Sequence, residues 1–403
     1  MTLTGFVLLY IVATIAIGVI AATRVKNTSD FALAGRSLPL PMVITATFAT
    51  WFGSETILGL PGRFIESGIA GVIEEPFGSG MALILVGTFF AHKLYKQNIL
   101  TLGDYYRDRY GRSVELLCSV AIVISYLGWV GAQVTALGLV INLITEGAVS
   151  MTTGMVIGAA VVLAYTMVGG MWSVAMTDFV QMIVIVVGLV AILWFATDLA
   201  GGMDKVVDYA RGRDLFHAFP EPTTTGWLFW ISAAMTMMIG SIPQQDVFQR
   251  VMSAKNLPTA VAGPILGGSF YILFAFVPMF IVVAAILVMP DAAEKMLSED
   301  PQQLLPTLVR DYMPMWLRVV FFGAVLSAVM STASATMLAP STIFVENVLR
   351  HFMKIDDRNM LRAMRLSVAV FAVCVLSYSI ALEGAAIYDL SLIHISEPTR
   401  RSY

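Results

Sequence analysis

The sequence predicts an all-α polytopic membrane protein, and three observations lead to that prediction. Hydrophobic residues make up 58% of the 403 residues and charged residues only 13%, against about 45–50% and about 25% in soluble globular domains. Ten apolar stretches are long enough to cross a bilayer, which takes about 20 residues each. No stretch has the pattern of a β-strand. A soluble enzyme, a secreted domain and a nucleic-acid-binding protein are therefore excluded.

The ten predicted spans account for nearly the whole chain, with an eleventh beginning near Ala385. The first has no small-residue cleavage site after it, so it is expected to be an uncleaved leading helix rather than a signal peptide. The spans are Leu3–Thr23, Leu38–Phe64, Ile69–Leu94, Arg112–Leu143, Met151–Val168, Val174–Leu199, Trp227–Met252, Pro258–Val288, Leu317–Leu349 and Met360–Leu382.

Lysine and arginine are unequally distributed between the two sides of the predicted bundle. With the N-terminus outside, the inner connections hold 15 of these residues and the outer connections 7. Because cytoplasmic loops carry the excess of positive charge, we expect a multi-pass inner (cytoplasmic) membrane protein with its N-terminus outside.

The last residues are set apart from the rest of the chain. Residues 390–400 read LSLIHISEPTR, which resembles the in-frame translation of a common transposon-based sequencing adapter. The alternative is a natural polar tail. We expect the authentic protein to continue past Asp389, so that 1–389 is the membrane transporter domain and 390–403 carries no function.

Two of the spans are interrupted by glycine, proline and polar residues. The second contains Ala49–Glu55 followed by Gly59–Gly62, and the seventh contains Gly240–Asp246. Irregular backbone within a membrane is tolerated only where protein or a water-lined cavity satisfies it, and transporters use such segments to bind ions and substrates. A packing kink is the alternative. Because the breaks lie five spans apart, they predict a five-plus-five inverted repeat.

Five acidic residues fall within the spans: Glu55, Glu74, Glu75, Asp178 and Asp246. A charge at the bilayer centre is costly and usually has a partner. No lysine or arginine is expected at comparable depth, since Arg250 lies near the inner end of its span. Cations are therefore expected to neutralise the acids: sodium, a proton or a substrate ammonium. Alternatively, Glu74 and Glu75 lie near the outer interface, and Asp178 caps its helix near the inner face.

Hydroxyl side chains cluster in the ninth span, where Ser331 and Thr332 are adjacent and Ser334 lies on the same face as Ser331. Hydroxyls and nearby carbonyls suit a hard cation. Back-bonding to the preceding turn, or close helix packing, is the alternative.

Together these motifs make the sequence resemble the sodium:solute symporter family, from about residue 4 to 389. The matching motifs are Ser29–Phe31 with Ala34–Arg36, Ala49–Gly62, Thr101–Tyr105 with Arg109–Gly111, Gly169–Val174 with Thr177–Gln181, Gln249-Arg250, and Ala328–Ser334. The resemblance implies a leucine-transporter-like core after one leading helix (3–23). The first repeat is expected at 38–200 and the second at 225–389, the latter incomplete because the last core helix is missing through truncation.

The resemblance also implies binding residues. The main sodium site would use the carbonyls of Ala49, Phe52 and Ala328 and the hydroxyls of Ser331 and Thr332. Asp178 and Ser334, with Ser331, would form a second sodium site or a release path, although Ala335 stands where such members often have serine. The implied substrate contacts are Trp51, Glu55, Thr56, Glu75, Ser79, Trp129, Gln244 and Gln245.

The sequence around Pro243 and Phe248–Arg250 most resembles the choline-transporter branch of this family. The aromatic cage of that branch binds a quaternary ammonium through cation–π attraction. Trp51 and Trp129 are retained, whereas Ser79 and Gln244 stand where that branch has aromatic residues. Asp246 is an acid that the branch lacks. An amine, amino acid or other nitrogen-containing solute is therefore expected to fit better than choline.

The resulting expectation is a sodium-coupled symporter of a small organic solute rather than an enzyme. Its partners would be sodium, the solute and membrane lipids, with no nucleic acid, and the transport unit would be monomeric. Two alternatives remain open: the membrane-embedded sensor input of a larger signalling protein, and a passive channel.

Overall fold

The computed structural model describes residues 3–353, 356–382 and 387, and within these ranges the chain is helical, with no β-strand. The helices are α1 (Leu3–Ala22), α2 (Thr28–Leu33), α3 (Leu40–Trp51), α4 (Leu60–Ser67), α5 (Ser79–Leu85), α6 (Ala91–Gln97), α7 (Leu102–Tyr110), α8 (Arg112–Ile144), α9 (Met151–Leu199), α10 (Met203–Gly212), α11 (Thr224–Gly240), α12 (Gln245–Ser253), α13 (Leu257–Phe274), α14 (Phe276–Val288), α15 (Pro290–Glu299), α16 (Leu304–Tyr312), α17 (Met315–Ile343), α18 (Arg350–Phe352) and α19 (Asp357–Ala381).

Most predicted spans are present with small shifts of their ends. Within the described residues, seven helices are long and apolar enough to cross a membrane, and α11 with α12 forms one further, bent span. The predicted eleventh span and the tail at 390–403 lie outside the described residues, as do the last seven residues of the second repeat apart from residue 387.

Two predicted spans are joined into the single element α9. Its 49 residues would measure about 74 Å as a straight helix, more than twice the roughly 30 Å hydrocarbon core. The element breaks at Gly170, where φ is 48° and ψ is −138°. A Cβ at this position would lie 2.3 Å from the carbonyl oxygen of Phe31, so the bend requires glycine for its dihedral angles and for its close approach to α2.

Both predicted interruptions are present. Helix α3 ends at Trp51, and Phe52 leaves helical geometry with φ −87° and ψ 70°. The chain then re-enters a helix through a π turn, Glu55–Gly59, which leads into α4. In the seventh span, α11 and α12 meet at an angle of 46°, and Gln244 is extended with φ −83° and ψ 138°.

A third interruption was not predicted. Ile69–Leu94 was expected to be a regular span, but its start forms a π turn, Ile73–Gly78, in which Glu75 is extended (φ −140°, ψ 124°). The following residue, Pro76, has no N–H for a helical hydrogen bond and disfavours helical geometry at the residue before it. The extended backbone positions the Glu75 side chain described below.

Helix α17 is the central element of the bundle. It packs against α3, α8, α9, α12 and α19, and 89% of its most apolar stretch is buried inside the protein. A helix surrounded by other helices can carry hydroxyl groups that would be unfavourable against lipid. The elements around α17 thus place Ser331 and Thr332 in the protein interior, beside the break in α3.

Candidate functional site

The site begins where α3 stops beside α17. The Thr332 hydroxyl lies 3.2 Å from the carbonyl oxygen of Ala49 and donates to it, because the break leaves that carbonyl without its helical partner. All five predicted sodium ligands are fully buried: Ala49, Phe52, Ala328, Ser331 and Thr332. Carbonyl and hydroxyl oxygens are the donors that a hard cation prefers, so the residues present fit a sodium ion.

Asp178 lies directly behind this oxygen cluster. The Ser331 hydroxyl donates to Asp178 Oδ1 over 2.5 Å, while Asp178 Oδ2 is buried and has no hydrogen-bond partner among the described residues. The alternative of a capping residue near a helix end is wrong, because Asp178 is fully buried within α9. Ser334 bonds back to the Ser331 carbonyl over 2.9 Å, so the back-bonding alternative holds for that hydroxyl.

Gly53 lies where α3, α8 and α17 approach one another. A Cβ on this glycine would be 2.8 Å from both Glu55 Oε2 and Thr332 Oγ1, and 3.0 Å from Gln133 Oε1. Three side-chain oxygens therefore converge on one face of the break, and any larger residue would displace them.

Two tryptophans form the predicted aromatic part of the solute site. The ring centroids of Trp51 and Trp129 are 5.3 Å apart at 60°, and Tyr126 stacks on Trp129 with a centroid distance of 6.0 Å. Trp51 and Trp129 are 2% and 5% exposed, so the site is closed to solvent. Tyr126 was not predicted from the sequence, although it lies one helical turn before Trp129.

Glu55 connects these aromatics to the break. Its carboxylate accepts hydrogen bonds from Trp129 Nε1 at 2.9 Å, Gln133 Nε2 at 2.7 Å and the Ser54 hydroxyl at 3.3 Å. The Gln133 oxygen in turn accepts from the backbone N–H of Ser54 at 3.0 Å, which satisfies an amide freed by the interruption. Gln133 was also missed, although it lies one turn after Trp129 on the same face of α8.

Two other predicted solute residues form a separate hydroxyl–carboxyl group. Glu75 Oε1 accepts from the Thr56 hydroxyl at 2.8 Å and from the Tyr271 hydroxyl at 2.5 Å. Glu75 is 3% exposed and the other two are fully buried. Glu75 is thus enclosed by protein, and its position relative to the outer interface stays a prediction. Tyr271 was missed because it is 196 residues from Glu75 in sequence.

Asp246 lies beside the aromatic group and has a basic neighbour, Arg250. Its Oδ1 accepts from the Tyr126 hydroxyl. The Arg250 guanidinium, 1% exposed, donates to the Asp246 carbonyl at 2.9 Å and to the Thr50 hydroxyl at 2.7 Å. The expectation that no basic side chain lies at the depth of the acids is therefore wrong. Arginine was placed too far along the span because its long side chain reaches back one turn toward the break.

The remaining predicted solute residues lie at the margin of this group. Gln245 Oε1 accepts from the backbone N–H of Leu102 at 2.9 Å, so it faces the loop helix α7. Within the part of the chain that the structure describes, Gln244 Oε1 has no hydrogen-bond partner, and Gln244 is 9% exposed. Ser79 donates to the Glu74 carbonyl at 3.5 Å.

A polar network closes the end of the bundle that carries α7. Asn347 accepts from the Thr101 hydroxyl at 2.6 Å and donates to Asp104 at 3.0 Å and Glu115 at 2.8 Å. Arg107 pairs with both acids, at 3.1 and 3.4 Å. We call these five residues the α7 latch. The opposite end holds a polar cavity of about 690 Å³, lined by Asn142, Leu143, Glu146, Gly147, Arg310, Asp311 and Arg318.

Interrupted helices, a buried oxygen cluster and a closed aromatic–carboxylate site define a cation-coupled membrane transporter. The chain belongs to the sodium:solute symporter family, whose sequence model matches residues 31–394. The predicted class is confirmed by this membership: a multi-pass membrane transporter rather than an enzyme, with sodium coupled to a small organic solute.

Relatives and solved structures agree with this assignment. The human high affinity choline transporter 1 is 28% identical over 407 residues, covering 95% of this chain and 68% of that protein. The Drosophila melanogaster high-affinity choline transporter 1 is 26% identical over 396 residues, covering 95% and 62%. This chain thus spans about two thirds of the length of these relatives.

Among solved structures, a Na⁺-coupled sialic acid symporter in a substrate-bound outward-open state matches with a TM-score of 0.84 and 19% identity, covering 97% of this chain and 84% of that one. This likeness confirms the predicted leucine-transporter-like fold class.

Proposed function

We propose that this chain is the transport unit of a sodium-coupled symporter for a small nitrogen-containing solute. The observation that carries the proposal is the Thr332 hydroxyl 3.2 Å from the Ala49 carbonyl at the end of α3. A sodium ion there would be held by the carbonyls of Ala49, Phe52 and Ala328 and the hydroxyls of Ser331 and Thr332.

Sodium at this position would act by joining α3 to α17. Trp51 is the last residue of α3 and Glu55 opens the π turn that follows, so fixing this break also fixes the solute-contacting side chains. The ion favours this arrangement only to the extent that it binds here more tightly than in other states. One charge crossing 100 mV supplies about 2.3 kcal/mol, enough for about 50-fold accumulation.

Asp178 and Ser334 are proposed to serve a second sodium or the release path. One oxygen of the Asp178 carboxylate accepts from the Ser331 hydroxyl of the main site. The other oxygen, Oδ2, has no hydrogen-bond partner among the described residues. A sodium ion leaving Ser331 could be received there.

The solute is proposed to be an amine or amino acid. Trp51, Trp129 and Tyr126 supply aromatic faces for a cation, and Glu55 supplies a carboxylate beside them. Thr56, Glu75, Ser79, Gln244, Gln245 and Asp246 are proposed to complete the site. Arg250 partly offsets the charge of Asp246, so Glu55 is the main anionic contact.

The membrane placement is also part of the proposal. The excess of lysine and arginine on the side of α7 supports a cytoplasmic position for the α7 latch and an outside N-terminus in the inner membrane. The cavity near Arg310 would then face outward. Each chain is proposed to transport as a monomer surrounded by lipid.

The test is a thermal-shift screen of the detergent-solubilised protein with amines, amino acids, carboxylates and sugars, in sodium and in potassium. We expect a nitrogen-containing solute to raise the melting temperature in sodium and to have little effect in potassium. Equal stabilisation in both salts would contradict sodium coupling. Stabilisation by sugars or carboxylates alone would contradict the solute class.

A further inference from the structure

The Glu75 group is built differently from the other acidic groups of the site. Three buried oxygens form a closed triangle: Glu75 Oε1 to Thr56 Oγ1 is 2.8 Å, Glu75 Oε1 to the Tyr271 hydroxyl is 2.5 Å, and the two hydroxyls are 3.1 Å apart. They come from three elements: the π turns Glu55–Gly59 and Ile73–Gly78, and α13. This group holds together parts of the chain that are far apart in sequence.

Two further carboxyl groups, Glu55 and Glu74, lie close enough to Glu75 to repel a charge on it. Of the elements packed against its turn, α13 presents Tyr271 as its titratable side chain, whereas α5 and α11 have none. Helix α4 carries Arg63 and Glu66, and no ion pair joins either of them to Glu75 within the described part of the chain. Among the described residues, Glu75 therefore has two hydroxyl partners and no ion pair.

Glu55 and Glu75 cannot both be charged at low cost in this setting. Burying one carboxylate already costs several kcal/mol, and a second nearby carboxylate adds repulsion. Glu55 is the better-stabilised anion, because an indole N–H, an amide NH₂ and a hydroxyl all donate to it. Glu75 receives two hydroxyls. The proton of this pair is therefore expected to be on Glu75, as in other closely spaced carboxyl pairs.

The triangle is too tight for a metal ion. Hard cations bind oxygen ligands at about 2.3–2.6 Å, which places neighbouring ligands about 3.3–3.7 Å apart at right angles. The three distances here, from 2.5 to 3.1 Å, are those of hydrogen bonds. A proton fits this group and a sodium ion does not.

We propose that Glu75, Thr56 and Tyr271 form a proton-binding site, so that the closed solute site contains one bound proton in addition to sodium. The proposal deepens the proposed function, on which its transport consequence rests. A neutral Glu75 leaves Glu55 as the charged member of this carboxyl pair. Loss of the proton would place two repelling carboxylates beside the break and disfavour the closed arrangement.

The experiment is infrared spectroscopy of the solubilised protein in sodium at neutral pH, in water and in heavy water. A protonated carboxyl gives a carbonyl stretching band that moves on deuteration. We expect Glu75→Gln to remove one such band, and the exposed-site control Glu66→Gln to retain it. Because Glu75→Gln could fail to fold, Tyr271→Phe is the second variant. It should keep the band but move it to higher frequency, since the carboxyl loses one hydrogen bond.

The outcomes separate the two proposals. Sodium-dependent thermal stabilisation is measured on the same samples. If both variants leave every protonated-carboxyl band unchanged, the proton site is disproved, whereas a retained sodium response would leave the symporter proposal intact. If the band behaves as expected but sodium has no effect on any sample, the sodium coupling fails and the proton site stands.

Discussion

At the scale of single residues, Glu55 has the central position in the proposed solute site. It is bonded to the aromatic group through Trp129 and to the interrupted helix through Gln133 and Ser54. A substitution here therefore affects both the solute contact and the geometry of the break. Asp246 is less isolated, because Arg250 and Tyr126 lie against it.

These surroundings predict different effects for two isosteric substitutions. Glu55→Gln removes a carboxylate that receives three donors, and hydrogen bonds to charged groups contribute about 1.5–3 kcal/mol each. We expect a cationic solute to bind about tenfold to a hundredfold more weakly. Asp246→Asn should weaken solute binding by less than Glu55→Gln does. It should weaken the binding of cationic solutes more than that of neutral solutes. Titration calorimetry with the best solute of the screen measures both, and equal losses in the two variants would contradict the assigned roles.

Single residues were predictable where their chemistry is local in sequence. Ser331 and Thr332 stand out as adjacent hydroxyls in an apolar span, and Trp51 follows from its place in the interrupted motif. Tyr126 and Gln133 could have been found from their helical spacing to Trp129. Tyr271 could not, because a tyrosine in an apolar span gives no sign of a partner nearly 200 residues away. The depth of the Arg250 guanidinium depends on the direction of its side chain, which the place of the residue in the sequence does not reveal.

At the scale of elements, the interruption at Phe52 and Gly53 is what brings the oxygens together. In a continuous helix the Ala49 carbonyl would accept from a backbone N–H four residues on. Here it accepts from Thr332. The two interruptions predicted from glycine and proline are both present, whereas the extended Glu75 was missed because one proline after two glutamates resembles an ordinary helix start.

Gly53 provides a test of this element. A Cβ would lie 2.8 Å from Thr332 Oγ1 and Glu55 Oε2, so Gly53→Ala should push apart the proposed sodium ligands, and overpacking typically costs about 1–3 kcal/mol. We expect this variant to need at least about tenfold more sodium than the wild type for a half-maximal thermal shift. The control is Gly323→Ala in α17, whose Cβ would have its nearest neighbour 4.0 Å away. Equal sodium responses would contradict the close approach.

At the scale of the whole molecule, the structure is closed at the end that carries α7. Besides the α7 latch, the backbone N–H of Leu38 bonds Ser253 and that of Lys255 bonds Leu38, each at 2.9 Å. These bonds join the segments that flank the two interrupted spans. Such side-chain networks could not be predicted from the sequence, because each joins residues that are far apart in the chain.

The latch predicts a shift between conformations. Asn347→Ala removes three hydrogen bonds, two of them to the carboxylates of Asp104 and Glu115, which keep their ion pairs with Arg107. A net loss of about 1.4 kcal/mol would open this end about tenfold more often. The measurement is the labelling rate of Thr342→Cys, a fully buried position, by a thiol reagent in a background without Cys118 and Cys374. Asn359→Ala, at an exposed position, is the control, and unchanged labelling in Asn347→Ala would contradict the role of the latch.

The most direct test of the central claim is equilibrium binding of radioactive sodium to the purified protein. Wild-type protein should bind sodium and resist competition by potassium, and the double variant Ser331→Ala/Thr332→Ala should lose the binding. Ser341→Ala removes a hydroxyl that donates to the Met337 carbonyl within α17, and this variant should bind sodium as the wild type does. Undiminished sodium binding by the double variant would contradict a sodium site between α3 and α17.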